Sequence, residues 1–211
     1  MNEREKILED VIKQMLNPIK NLPLDLIVES ISNFKVIPFN SKNDKDLKLL
    51  RLLEQASLYC CEDLYHNPID SKVRVNEVGN QMENYLIKSL LKAGLKAEKP
   101  KGKSTGYPDI LVLRDENYPV YIECKTFNNE TLDSTQRTFY LSPSNNFKVD
   151  RDANHIVISF EIELSSRGYI AKAYKIVDVS SLLCDVKYEF NSNNKRLYSK
   201  NLVISENIFT S

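Results

Sequence analysis

Asp109, Glu123 and Lys125 stand on two stretches that are otherwise apolar, "ILVL" at 110–113 and "VYI" at 120–122, joined by the polar "RDENYP". Runs of this kind read as neighbouring strands of a sheet covered on both faces. An unpartnered carboxylate or ammonium is costly there, so these three residues need a chemical reason. Alternate residues of a strand share a face: Glu123 and Lys125 point one way, Ile122 and Cys124 the other. A hairpin brings Asp109, at the start of the first strand, beside Glu123. Two carboxylates that close raise each other's pKa unless a cation lies between them. Such oxygen ligands suit Mg²⁺, which takes one or two carboxylates plus water and substrate phosphate, and the backbone carbonyl of Cys124 adds a further oxygen. Lys125, on the same face, is placed to polarise a water and to offset charge developing on a phosphate.

The elements that must hold these groups can be read outward from them. "NEVGNQMENYLIKSLLKAG" predicts a helix over 77–93 closed by Gly94. Around Met82, at 100° per residue, Val78, Tyr85, Leu86, Ile87, Leu90 and Leu91 define a broad apolar arc. Glu83 falls inside the arc and Glu77 outside it. An acid on a packed face needs a partner or a metal, which makes Glu83 a candidate member of the site; the plain alternative is a helix-edge glutamate reaching water. Glu77 belongs to the first turn, where negative charge favours the helix dipole.

Upstream, "EREKILEDVIKQML", "LPLDLIVESI" and "DKDLKLLRLLEQASLYCCEDLY" read as helices, so residues 1–72 are expected to form a helical N-terminal region packed on a core at 73–211. "LKAEKPKGKSTGY" reads as a basic loop, and the polar stretch after 127 as a crossover with a short helix near 131–138. "HIVISFEIEL" and "YIAKAYKIVDV" are strands meeting at "SSRG"; "SSLLCDV" suggests a helical turn, and "VKYEF" and "NLVIS" short final strands. This order predicts an α/β fold, a mixed central sheet flanked by helices.

Composition narrows the function classes. Hydrophobic residues make up 42% and charged ones 27% of 211, an ordinary globular balance. Basic and acidic residues both number 29, so a purely electrostatic nucleic-acid coat is disfavoured, while a local basic groove beside an acidic centre is allowed. Cys60, Cys61, Cys124 and Cys184 form no CxxC pair, which argues against zinc and against a disulfide framework, and two histidines are too few for a histidine-rich metal site. "MNEREKILED" does not read as a signal peptide and no apolar run has spanning length, so a cytoplasmic protein away from membranes is expected.

A Mg²⁺–carboxylate site with a lysine suits phosphodiester hydrolysis. Lys99, Lys101 and Lys103 precede Asp109 and are candidates for gripping phosphates. Downstream, Gln136, Arg137, Ser142, Ser144, Asn145, Asn146, Lys148 and Arg151 offer donors to phosphate or base edges. An ordinary polar crossover explains that stretch equally well.

The pattern Pro108-Asp109, a spacer, then Glu123-x-Lys125 resembles the signature of the PD-(D/E)xK nuclease superfamily, with Glu83 matching the helix acid that superfamily carries. From about residue 76 to 200 the chain looks like an orthodox type II restriction endonuclease, through "NEVGNQME", "PDILV", "YIECK", "FYLSPS" and "YEFNSNN". The resemblance implies a restriction-endonuclease-like core and Mg²⁺-dependent cleavage of double-stranded DNA at a short palindromic site by a homodimer. Cys124 departs from the aliphatic residue common at that position, where only the backbone is expected to bind metal. A junction-resolving or repair nuclease of the same superfamily would share the signature, and a non-catalytic DNA-binding domain is the rival of a different class.

Overall fold

The computed structural model describes residues 2–17, 19–102, 106–113, 119–128, 139–143, 146–189, 191–197, 199, 201–202 and 204–205. In chain order its elements are α1 (Glu3–Gln14), β1 (Leu22–Pro23), α2 (Leu24–Ser32), α3 (Asp44–His66), α4 (Val75–Lys92), β2 (Lys96–Glu98), β3 (Ile110–Leu113), β4 (Pro119–Phe127), β5 (Asn154–Ser165), β6 (Gly168–Asp178), β7 (Leu183–Cys184) and α5 (Asn194–Leu197). They fall into two compact units, Leu22–Cys184 and a smaller one made of Met1–Asn21 with Asp185–Ser211.

In the smaller unit α1 starts at a reciprocal cap: the Asn2 side chain accepts from the Glu5 N–H, and Glu5 accepts from the Asn2 N–H. None of its residues is buried. The Val186 N–H donates to the Ile19 carbonyl.

The larger unit is built on a five-stranded sheet in the order β2-β3-β4-β5-β6. β3 is antiparallel to β2 and β4, β4 runs parallel to β5, and β5 is antiparallel to β6. The sheet is therefore mixed and flanked by helices, as the sequence predicts. One face carries Ile110, Val112, Ile122, Cys124, Ile158 and Phe160, covered by Leu49, Leu53, Cys60 and Leu64 of α3 and by Val78, Met82, Leu86 and Leu90 of α4. The other carries Leu111, Tyr121 and Val157, packed with Leu24 and Val28 of α2, Val36, Tyr107 and Val149. Burying each such side chain contributes about 1.5–3 kcal/mol.

α4 ends where the sequence places it. Gly94 adopts φ +87°, and the paired bonds Leu95 N–H to Leu90 O and Gly94 N–H to Leu91 O (both 3.0 Å) close the helix. Four local expectations are corrected. β2 occupies what reads as a loop, because its only inward residue is Ala97 and its identity comes from pairing with β3. "SSLLCDV" holds β7, paired antiparallel with β1, rather than a helical turn. Residues 186–189 of "VKYEF" form no strand: Lys187 and Glu189 are exposed and paired with each other. Asn201 and Leu202 of "NLVIS" lie in a turn, and the helix expected near 131–138 lies outside the described residues. Among the described residues no helix is long and apolar enough to cross a membrane.

Candidate active site

The β3–β4 hairpin sets the centre of the site. The Asp109 N–H donates to the Ile122 carbonyl at 3.1 Å, and its Oδ2 accepts from the Cys124 N–H at 3.0 Å. That bond carries the Asp109 carboxylate across to the next strand, level with Glu123. Glu123 is only 4% exposed. Its Oε1 accepts from Lys125 Nζ at 2.6 Å. Its Oε2 is buried with no hydrogen-bond partner among the described residues. Burial pushes the Glu123 pKa up, and the neighbouring charge of Asp109 adds to this, against the opposing pull of Lys125. Burial alone would lower the Lys125 pKa, but the Glu123 carboxylate and its hydrogen bond outweigh it and hold the ammonium charged. The Tyr140 ring lies 5.5 Å from that ammonium.

Glu83 reaches the same field from α4. It is half-buried, and its pKa is raised first by burial and then by Asp109, with Lys99 and Lys148 opposing. The structure thus brings Glu83, Asp109, Glu123 and Lys125 together, and leaves Glu77 exposed in the first turn of α4. The Cys124 thiol is buried on the helix side, while its backbone serves the site through the bond to Asp109.

The other expected DNA contacts divide. Lys99 pairs with Glu83 at 3.3 Å. Lys101, Ser142 and Asn146 are exposed. Arg151 is tied to Asp150 at 2.6 Å and 3.1 Å. Lys148 stands apart: it is 7% exposed and bonded to main-chain carbonyls, not displayed on a surface. Lys103, Gln136, Arg137, Ser144 and Asn145 lie outside the described residues.

Two further features surround the centre. The strand registers align Lys125 with Ser159 and Ser159 with Lys175. This row crosses the Glu123 face where the sheet becomes accessible, and Lys175 is exposed. Its sequence signal is only the alternation within "HIVISF" and "AKAYKIV", which cannot align the strands. Beneath the centre, fully buried His155 sits with Nδ1 2.5 Å from the Tyr107 hydroxyl, and its Nε2 has no partner among the described residues. Tyr107 and His155 flank the signature strands in sequence, but neither carries a motif.

Burial pulls the His155 pKa down from 6.5 to about 4, slightly countered by Asp178. Above pH 6.5 the ring is neutral in folded and unfolded chains alike. Between 6.5 and about 4 the unfolded chain binds a proton that the folded chain refuses, so stability is lost as pH falls. Relative to His155→Gln, the wild type should lose up to about 1.4 kcal/mol per pH unit in that window. Glu123 titrates in the opposite sense in both proteins and drops out of the difference. Urea unfolding at pH 7, 5.5 and 4.5 measures it; a pH-independent difference would contradict the assignment.

A helix acid, an antiparallel strand pair bearing Asp109 and Glu123-x-Lys125, and a parallel strand beyond them are the core of a PD-(D/E)xK nuclease of the restriction-endonuclease type. The sequence profile of the type II restriction enzyme MjaV family matches residues 16–201. The type II restriction enzyme MjaV of Methanocaldococcus jannaschii is 37% identical over 217 residues, covering 94% of this chain and 94% of that protein. The chain belongs to the type II restriction enzyme MjaV family. No solved structure matches it significantly.

Proposed function

We propose that this family member is a Mg²⁺-dependent type II restriction endonuclease, hydrolysing phosphodiester bonds in double-stranded DNA at a short specific site and working as a homodimer. The observation that carries the metal reading is the buried Glu123 Oε2 beside Asp109, without a hydrogen-bond partner among the described residues, with Lys125 fixed at 2.6 Å from the other oxygen. Among the described residues no group of three or more His, Cys, Asp and Glu side chains is arranged to hold a metal by itself. This donor set fits Mg²⁺ rather than zinc, because Mg²⁺ completes its shell with water and phosphate oxygens.

In this reading Asp109, Glu123 and the Cys124 carbonyl would hold the ion, with Glu83 at the edge. When bound, the metal lowers the pKa of water and stabilises negative charge on the phosphate. Lys125, charged and anchored by Glu123, orients the attacking water and supplies a hydrogen bond to the phosphate oxygen that gains charge. Ser159 and Lys175, continuing the row from Lys125, give the duplex backbone an accessible polar path away from the scissile bond. A two-fold dimer matches a palindromic duplex and cuts both strands, with the helical N-terminal region as part of its interface. Sedimentation of a monomer, free and on cognate DNA, would remove the dimer.

Plasmid DNA incubated with the protein and Mg²⁺, with the ends sequenced, tests the function. Discrete fragments with one shared end sequence support it. Cleavage confined to branched DNA would favour a junction-resolving nuclease, and binding without metal-dependent cleavage would favour a non-catalytic domain. Lys99, Lys101 and Lys103 are assigned to backbone phosphates. Changing all three to alanine should weaken specific and random DNA binding alike, and should flatten the salt dependence by up to about three in log–log slope. Lost discrimination at unchanged random-DNA affinity, read by gel-shift titration, would contradict this.

A further inference from the structure

The Lys148 side chain is turned into the protein. It is 7% exposed, and its ammonium donates to the Gly106 carbonyl at 2.5 Å and the Pro108 carbonyl at 2.8 Å. Both acceptors lie on the short segment leading into Asp109. The same ammonium is among the positive charges acting on Glu83. The chain before the site also closes on this side chain. Gly102 has φ +133°, and a Cβ there would come within 3.0 Å of Lys148 Cγ and 3.1 Å of the Asn146 carbonyl.

An ammonium is taken out of water only at considerable cost, recovered when its donors are used and opposite charge is near. With two donors committed to carbonyls, Lys148 is poorly placed to meet a phosphate arriving from solvent. Its acceptors bracket Tyr107, so the bonds fix the path of the main chain from Gly106 to Asp109. They thereby aim the Asp109 carboxylate at the Cys124 N–H and at the open Glu123 oxygen.

We propose that Lys148 is a positioning residue for the metal site: its ammonium locks the Gly106–Pro108 segment that aims Asp109 and offsets the acidic charge of Glu83. The proposal rests on the nuclease reading above and adds to it a residue that touches neither substrate nor metal.

Lys148→Met keeps the stem and removes the charge and its donors; Lys148→Gln keeps an amide donor and serves if the first variant does not fold. Three measurements separate the roles: melting in EDTA and with rising Mn²⁺, cleavage kcat and KM, and the salt slope of DNA binding in Ca²⁺. A positioning role requires kcat to fall by about tenfold or more with KM nearly unchanged. It also requires a smaller Mn²⁺-induced rise in Tm and an unaltered salt slope. A slope shallower by about one would make Lys148 a phosphate contact and overturn the proposal. A lower Tm in EDTA with wild-type Mn²⁺ response and kcat would reduce it to scaffold, and overturn it too. If the wild type itself neither cuts DNA nor responds to Mn²⁺, the nuclease reading fails first, and that outcome is visible without any variant.

Discussion

Asp109→Ala and Glu123→Ala should each leave a folded protein that binds its DNA site and does not cut it, with rates lower by about a thousandfold or more. A metal held by these acids would contribute several kcal/mol of charge stabilisation and the activated water, and each 1.4 kcal/mol is about tenfold in rate. Asp109 loses its bond to the Cys124 N–H along with its carboxylate. Glu123→Ala removes the buried oxygen that has no hydrogen-bond partner among the described residues. DNA binding should persist or tighten in both, since each variant removes a negative charge from beside the phosphates. Gel shifts without metal, cleavage time courses with Mg²⁺ and thermal melts together check this. Binding lost in parallel with cleavage, in a folded variant, would show that these acids are not metal ligands.

Lys125→Ala should lower kcat by about a hundredfold to a thousandfold through a different route, in line with removal of one donor to developing negative charge. Its ammonium is 2.6 Å from Glu123 Oε1, so the variant exposes that oxygen to the metal rather than removing it. The metal response of the melting temperature should therefore survive. In EDTA the variant should melt below the wild type, because a buried carboxylate loses its counter-ion. Single-turnover cleavage and melts across Mg²⁺ concentration separate the two effects. A folded Lys125→Ala protein that cuts at the wild-type rate would transfer the role to another group.

The centre of this site was legible because it breaks a pattern. Charged side chains at 109, 123 and 125 interrupt strands whose remaining residues are apolar, and strand alternation fixes which of them share a face. Glu83 was readable for the same reason on a helix, as an acid inside an apolar arc. What surrounds the centre was not readable. Lys148 looks like any basic loop residue in sequence; only the packing of Gly102 and two main-chain carbonyls shows its ammonium turned inward. The Lys125–Ser159–Lys175 row depends on registers set by distant pairing. β2 and β7 are strands of three and two residues whose hydrogen bonds, not their composition, define them. The Tyr107–His155 pair is formed by residues 48 apart.

The most direct test of the metal site needs no DNA. Burial and Asp109 raise the Glu123 pKa from 4.5, so its charge weakens the metal-free fold above that raised pKa and not below pH 4.5. Glu123→Gln should therefore melt above the wild type in EDTA at neutral pH, by a margin worth about 1–3 kcal/mol, and the margin should close on acidification towards 4.5. With rising Mg²⁺ or Mn²⁺ the wild type should climb in Tm, as a ligand that binds only the folded state requires, while Glu123→Gln stays flat. Equal rises in both proteins would contradict the metal site assigned to Asp109 and Glu123.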